Sequence, residues 1–139
     1  MKAYNFLKWS WKLEDYLLRV GNVSDRTALT KLRLSDHSLV IEKGRHLNIN
    51  KSDRACPFCP EEVKDELHFL IKCPIYDYLR KSLLDDVEVL CIGFFYPRDR
   101  NFLMWLLLNN PIISDSTGKF IRTSMELRAF LLEQQKTLD

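Results

Sequence analysis

The sequence has little glycine and no long apolar run. Its four glycines are too scattered to form the glycine-rich loop that cradles phosphate groups. The longest apolar run, FLMWLLL at 102–108, has seven residues, whereas a membrane-spanning helix needs about twenty, so this run is most simply a buried helix. The first sixteen residues contain no continuous apolar stretch of the kind found in secretory signals. We therefore predict an intracellular protein, nuclear or cytoplasmic, with no membrane partner.

Recognisable catalytic constellations are missing as well. No histidine has the spacing that would pair it with a serine or cysteine nucleophile. Asp85 and Asp86 are adjacent, and adjacent side chains on a helix point about 100° apart, so a pair of metal ions is not expected there. We predict that the chain is not an enzyme and has no small-molecule substrate.

Charge is distributed unevenly along a chain of 139 residues that is long enough for one domain with its own core. Up to Cys59 the sequence has 11 basic and 6 acidic residues, and after Cys59 it has 10 basic and 13 acidic residues. A basic front half is compatible with a polyanionic partner, and ordinary solvated helix faces explain it equally well.

Apolar periodicity predicts a mostly α, compact helical domain with an irregular CCHC zinc-binding loop. The single domain, 1–139, would comprise an N-terminal helix (1–21), a zinc-binding core (22–80) and C-terminal helices (81–139). Gly21 would end the first helix, and Ser24 or Asp25 would cap the second, with Arg26 and Arg33 sharing its outer face. The apolar stripe of the first helix comprises Phe6, Trp9, Leu13, Tyr16, Leu17 and Val20.

Five later segments also have helical patterns. HSLVIEKGR at 37–45 fits a short helix stopped by Gly44 or a strand, and we favour the helix. KDELHFLIK is predicted to be a helix, and Pro74 is suited to begin the next one. FLMWLLL lies within another, and residues 114–135 form the last. One face of this last helix would carry Ile121, Met125, Ala129 and Leu132.

The stretch ACPFCPEEVKDELHFLIKCP at 55–74 contains the pattern C-x2-C-x8-H-x4-C, formed by Cys56, Cys59, His68 and Cys73. Two cysteines separated by two residues can direct both sulfurs to one point, and two later ligands complete the tetrahedron that structural zinc prefers. Four protein ligands leave no open position, so we predict one structural Zn²⁺. Free structural cysteines and a redox pair are the alternatives, and Cys91 is predicted to be a buried apolar residue.

The second ligand pair poses a geometric problem. Residues five apart on an α-helix lie about 7.5 Å apart along the axis and about 140° apart around it, so His68 and Cys73 cannot reach one ion from an unbroken helix. Pro74 offers a solution, because the residue before a proline is pushed out of the helical region. Three thiolates and Zn²⁺ sum to a charge of −1, which Arg54 and Lys72 would offset by donating to the sulfurs. Phosphate contact by these two residues is an equally weighted alternative.

Three segments together carry a resemblance to a known family: LTKLRLSDHSLVIEKGRH at 29–46, RACPFC at 54–59 and KDELHFLIKCPIYDYLR at 64–80. They resemble the C-terminal zinc-binding region of non-LTR (LINE-type) retrotransposon reverse transcriptases of animals, and GKFIRTSMELR at 118–128 is a looser match. The resemblance implies the same four zinc ligands and a role in holding template RNA or target DNA. The polymerase motif and any endonuclease domain are absent, so the chain is predicted to be an excised domain or a derived host protein.

Two functions follow as hypotheses. The first is a nucleic-acid-binding accessory module, contacting phosphates of RNA or DNA through Arg26, Lys31, Arg33, Arg45, His46, Lys51 and Arg54, with Phe58 stacking on bases. For Arg33, His37, Glu42 and Arg45, which the resemblance marks, an internal salt-bridged brace is an alternative to nucleic-acid contact. The second function is a protein-interaction or structural module that docks on a polymerase domain or another protein, based on Trp9, Trp11, Phe94, Phe95, Tyr96 and Trp105.

Overall fold

The computed structural model describes residues 13–138, so most of the predicted N-terminal helix (1–21), with Phe6, Trp9 and Trp11, lies outside the described residues. The helices within this range are α1 (Asp15–Arg19), α2 (Val23–Arg33), α3 (Val40–His46), α4 (Asp77–Leu90), α5 (Arg100–Asn109) and α6 (Ser114–Leu138). A two-stranded antiparallel sheet, β1 (Ala55–Cys56) and β2 (Cys59–Val63), lies between α3 and α4. The prediction of a mostly helical domain with an irregular metal loop is confirmed.

Helices α2 and α6 share the most extensive contact of any two helices described between residues 13 and 138. Leu29 of α2 and Ile121 of α6 are completely buried. Gly118 allows the close approach, because a Cβ atom there would lie 2.9 Å from the backbone oxygen of Asp25. The Asp25 carboxylate also forms an ion pair with Arg122 of α6. These contacts make α6 the element on which the other helices pack.

Several helix boundaries differ from the predictions. The side chain of Asn22, rather than Ser24 or Asp25, caps α2, because its oxygen accepts the backbone N–H of Asp25 at 3.0 Å. Helix α3 confirms the helical reading of 37–45, but it runs past Gly44 to His46. Gly44 instead lies against Arg54, whose Cγ would be 2.7 Å from an added Cβ.

The inward face of α6 is more polar than predicted. Of the predicted stripe only Ile121 is buried, whereas Ala129 is exposed. The buried face includes Thr117, Ser124 and Arg128. Small polar residues let α6 approach its neighbours closely. The buried Thr117 hydroxyl donates a hydrogen bond to the Leu107 carbonyl at 3.1 Å. The apolar stripe that the periodicity predicted therefore lies next to the buried face of α6.

The middle of FLMWLLL is buried as predicted, with Met104, Leu107 and Leu108 inward and Phe102 exposed. Asp99 caps α5 by accepting the backbone N–H of Asn101 at 2.8 Å. None of the helices described between residues 13 and 138 has the length and apolarity needed to cross a bilayer.

Candidate metal centre

The β1–β2 hairpin positions the first two cysteines. Cys56 and Cys59 are direct partners across the hairpin, and Pro57 and Phe58 form its tight turn. The hairpin turns both residues toward the core, where Cys56 is buried and Cys59 is half-buried. The proline presets one backbone angle of this turn.

A π-helical turn, His68–Lys72, positions the other two candidate ligands. The backbone N–H of Cys73 donates to the His68 carbonyl at 2.7 Å. This hydrogen bond joins residues five apart, as in a π-helix, and makes the turn wider than an α-helical turn. Cys73 itself leaves the helix with φ −62° and ψ 117°, as expected for a residue before proline. The wide turn and the extended Cys73 together bring residues 68 and 73 to one point.

The four side chains form one cluster, with their ligand atoms all within 4.8 Å of one another. The Cys73 sulfur lies 3.9 Å from the Cys56 sulfur and 3.9 Å from the Cys59 sulfur. Thiolates at about 2.3 Å from a tetrahedral zinc ion are about 3.8 Å apart, whereas a disulfide requires about 2.05 Å. The spacing therefore fits metal ligands, and Cys56, Cys59, His68 and Cys73 are positioned to bind a metal.

The environment of His68 also fits a metal ligand. His68 is 2% exposed, and neither ring nitrogen has a hydrogen-bond partner among residues 13–138, although a Glu62 carboxylate oxygen lies 3.9 Å from Nδ1. Burial, reinforced by the charge of Lys64, lowers the pKa of His68, which favours the neutral imidazole that a metal requires. A buried imidazole without partners is costly, and a bound cation would satisfy one of its nitrogens.

The Cys59 thiol resists ionisation in the absence of a metal. Burial, together with the neighbouring thiols of Cys73 and Cys56, raises the pKa of Cys59 to about 12. A divalent cation reverses this effect, because a coordinated thiol is deprotonated outright. Metal binding would therefore release the proton of Cys59.

Arg80 of α4 holds the backbone of the π-helical turn in place. Its guanidinium donates to the carbonyls of Leu70 at 2.8 Å and Cys73 at 2.9 Å, with a longer contact of 3.4 Å to Phe69. The Leu70 carbonyl would find its α-helical donor at Pro74, which has no N–H, whereas the Cys73 carbonyl also accepts the Tyr76 N–H at 3.3 Å. Arg80 also pairs with Asp77 one turn earlier on α4.

The cations beside the cluster are not those predicted. Arg54 donates to the carbonyls of Ile49 and Ile41 at 2.7–2.9 Å and thereby ties the hairpin to α3. Lys72 extends to the surface, 3.8 Å from a carboxylate oxygen of Glu62. Arg54 thus uses its donors on carbonyls rather than on the sulfurs, and Lys72 pairs with Glu62, whereas the nearby Lys64 has no exposed surface.

Arg33 is not on the surface, so its predicted roles on the outer face of α2 and in nucleic-acid contact are wrong. It is 1% exposed and donates to the Leu108 carbonyl and to Asn109 Oδ1 at 3.1 Å. A second guanidinium nitrogen lies 3.3 Å from Glu14. The side chain therefore holds α1, α2 and α5 together.

The other residues of the predicted brace form two separate contacts. His37 Nε2 lies 2.9 Å from Glu66 Oε1, which also accepts from Ser35 at 3.2 Å. Burial opposes ionisation of Glu66, but the bonds from His37, the backbone and Ser35 lower its pKa. Glu42 and Arg45 pair with each other within α3 at 2.6 Å. The first contact joins the α2–α3 loop to the start of the metal-binding turn.

The remaining nucleic-acid candidates fall into two groups. Lys31, Arg45, His46 and Lys51 are exposed. Arg26 is half-buried and donates to the Val20 carbonyl at 3.0 Å, and Arg54 uses its guanidinium on backbone carbonyls as described above. Phe58 does not project freely, because it is half-buried and packs against the core. Only the exposed group is available to a large polyanion.

Sequence reasoning missed Lys64 and Arg80. Lys64 lies in PEEVKDEL, which has no apolar periodicity, and only the excess negative charge of three thiolates signals the need for a buried cation there. Arg80 ends the third segment that carries the family resemblance, but its role depends on carbonyls exposed by the π-helical turn.

Cys91 is half-buried beside the core and outside the metal cluster, and its sulfur lies 3.6 Å from Asn110 Nδ2.

In comparisons with known proteins, no protein-family model, no curated protein and no solved structure matches this chain.

Proposed function

We propose that the chain is a nucleic-acid-binding accessory module, stabilised by one structural zinc ion, of the kind found at the C-terminus of LINE-type reverse transcriptases. Zinc is the metal that this ligand set favours, because three thiolates and one imidazole form a soft tetrahedral shell. Four protein ligands fill that shell, so the ion organises the hairpin and the π-helical turn and takes no part in a reaction.

One observation carries the nucleic-acid proposal: basic side chains of α2, of α3 and of the segment that follows α3 are exposed. We call these five residues the basic ridge: Lys31 of α2, Lys43, Arg45 and His46 of α3, and Lys51. Within residues 13–138, no carboxylate forms an ion pair with any of its lysines. Cations without protein partners are free to replace the counterions of a phosphate backbone. The resemblance over residues 29–80 covers the same ridge and independently supports this function.

The zinc part of the proposal is tested by metal analysis. Protein purified without chelators should contain one zinc ion per chain by elemental mass spectrometry. Cys73→Ser should lose the ion, whereas Cys91→Ser, a matched loss of a thiol outside the cluster, should keep it. Zinc-free wild-type protein, or equal zinc content in the two variants, would overturn the assignment.

The nucleic-acid part is tested by salt-dependent binding of the zinc-loaded protein to single-stranded RNA, single-stranded DNA and duplex DNA. Contacts through the four lysine and arginine side chains of the ridge predict a slope of log K against log salt of about −3 on single strands, at about −0.7 for each phosphate. Reversing Lys43 and Lys51 to Glu should abolish most binding at 50–200 mM salt. The control reverses Lys119 and Lys136 on α6, which changes the net charge equally and should leave binding nearly unchanged.

A protein-interaction module is the second candidate, and an exposed apolar loop favours it. At the end of α4 and in the following loop, Val89, Ile92 and Phe95 are 74%, 95% and 79% exposed. Phe94 and Tyr96 beside them are half-buried and pack edge to face with ring centres 5.1 Å apart. If binding shows no salt slope and the ridge variants match wild type, we would adopt this function, with polymerase or another protein as the partner.

A further inference from the structure

Lys64 is the most unusual charged residue beside the metal cluster. It has no exposed surface, and no carboxylate among residues 13–138 pairs with it. Its Nζ lies 3.3 Å from the Tyr76 hydroxyl, 4.5 Å from the centre of the Tyr76 ring and 5.5 Å from that of Phe69. Neutral aromatic groups compensate a buried ammonium only in part.

The backbone fixes Lys64 in this place. Its N–H donates to the Arg54 carbonyl at 2.9 Å, and its own carbonyl accepts the Ile41 N–H at 3.0 Å. Lys64 thus joins the metal hairpin to α3, and its side chain is directed inward. A flexible surface lysine would leave this apolar site for water, but here the backbone contacts on both sides prevent it.

The Lys64 ammonium lies by the rings of Phe69 and Tyr76, the residues that follow His68 and Cys73 closely in the chain. Burial lowers the pKa of Lys64, and the charges of Cys56 and Cys73 oppose that shift. Three thiolates, one neutral imidazole and one divalent ion carry a net charge of −1. One buried ammonium brings the sum to zero, and such neutralisation is what a low-dielectric interior requires.

We infer that Lys64 is the charge partner of the metal centre, neutralising the excess charge of the thiolates and thereby setting zinc affinity and sulfur reactivity. This inference rests on the proposed zinc centre and is independent of nucleic-acid binding. Residues that hydrogen-bond to metal ligands typically change metal affinity by about 10–100-fold when they are lost. An ammonium that draws electron density from a thiolate also makes the sulfur a poorer nucleophile.

The test compares Lys64→Met with Lys72→Met. Both variants remove one lysine charge next to the cluster, but Lys72 is 40% exposed and directed toward Glu62. Zinc affinity is measured by competition with a chromogenic chelator. Sulfur reactivity is measured as the rate of alkylation by iodoacetamide in excess zinc, with circular dichroism confirming that each loaded variant is folded. Lys64→Gln, which stays polar without charge, serves if Lys64→Met does not fold.

The charge-partner role predicts zinc binding that is weaker by about 10–100-fold in Lys64→Met, faster alkylation of the loaded protein, and Lys72→Met within twofold of wild type. Zinc affinity within about twofold of wild type would overturn the inference, and so would weaker binding without faster alkylation, because lost packing alone would produce that result. Wild-type protein that binds no zinc would refute the zinc centre itself, so the two failures are distinguishable.

Discussion

The hydrogen bonds from Arg80 to the π-helical turn predict a large loss of stability in Arg80→Met. The substitution keeps most of the apolar stem and removes the donors to the Leu70 and Cys73 carbonyls, at 2.8 and 2.9 Å, and to the Phe69 carbonyl at 3.4 Å. Each buried carbonyl left unpaired costs about 1–3 kcal/mol. The Leu70 carbonyl bears that full cost, whereas the Cys73 carbonyl keeps the Tyr76 N–H at 3.3 Å and loses only about 0.5–1.5 kcal/mol. We therefore expect a loss of about 1.5–4.5 kcal/mol from a total stability of about 5–15 kcal/mol.

The pair with Asp77 adds little to this figure, because the Asp77 side chain is 68% exposed. The assay is urea unfolding of zinc-loaded protein at fixed free zinc, followed by circular dichroism. Lys81→Met is the control, since Lys81 neighbours Arg80 on α4 and makes only an exposed pair with Asp85 at 2.9 Å. It should cost no more than about 0.5 kcal/mol. A loss below about 1 kcal/mol for Arg80→Met, or equal losses in both variants, would refute the reasoning.

Three further substitutions test local features. Pro74→Ala frees the backbone of Cys73 and should weaken zinc binding about fivefold, the equivalent of about 1 kcal/mol; unchanged chelator competition would contradict this. Gly118→Ala should cost about 1–3 kcal/mol because its Cβ would meet backbone 2.9 Å away, whereas Gly21→Ala, with nothing within 4 Å, should be nearly neutral; equal unfolding midpoints would exclude the close packing. Asn22→Ala should cost about 1 kcal/mol and Ser24→Ala almost nothing, and the reverse order would reassign the cap.

The ligand cluster was predictable from sequence because its information is local. Cysteine and histidine are the residue types that bind zinc, and the spacing of Cys56 and Cys59 allows a tight hairpin. The extended backbone of Cys73 was also predictable, since it depends on the adjacent Pro74. The π-helical turn was not, because its wide geometry is stabilised by Arg80, whose donors reach back from a helix that begins after the site ends.

The buried cations explain most of the other differences between prediction and structure. Arg33, Lys64, Arg80 and Arg128 are each less than 10% exposed, whereas periodicity arguments assign lysine and arginine to the surface. Arg33 and Arg80 are retained inside because carbonyls accept their hydrogen bonds. Such partners come from distant parts of the chain, so only the folded structure reveals them. The basic surface is correspondingly smaller than the charge count of the front half implies.

The metal centre and the helical core are coupled because they share the π-helical turn. His68 and Cys73 flank Phe69 and Leu70, which have no exposed surface, and the Phe69 ring centre lies 5.9 Å from that of Phe120 on α6. Ordering the ligands therefore also orders core side chains, and core packing in turn lowers the entropic cost of assembling the ligands. Linkage requires the two effects to be reciprocal. Zinc should accordingly stabilise the helices well beyond its own loop, and the intact core should bind zinc more tightly than an excised hairpin and turn.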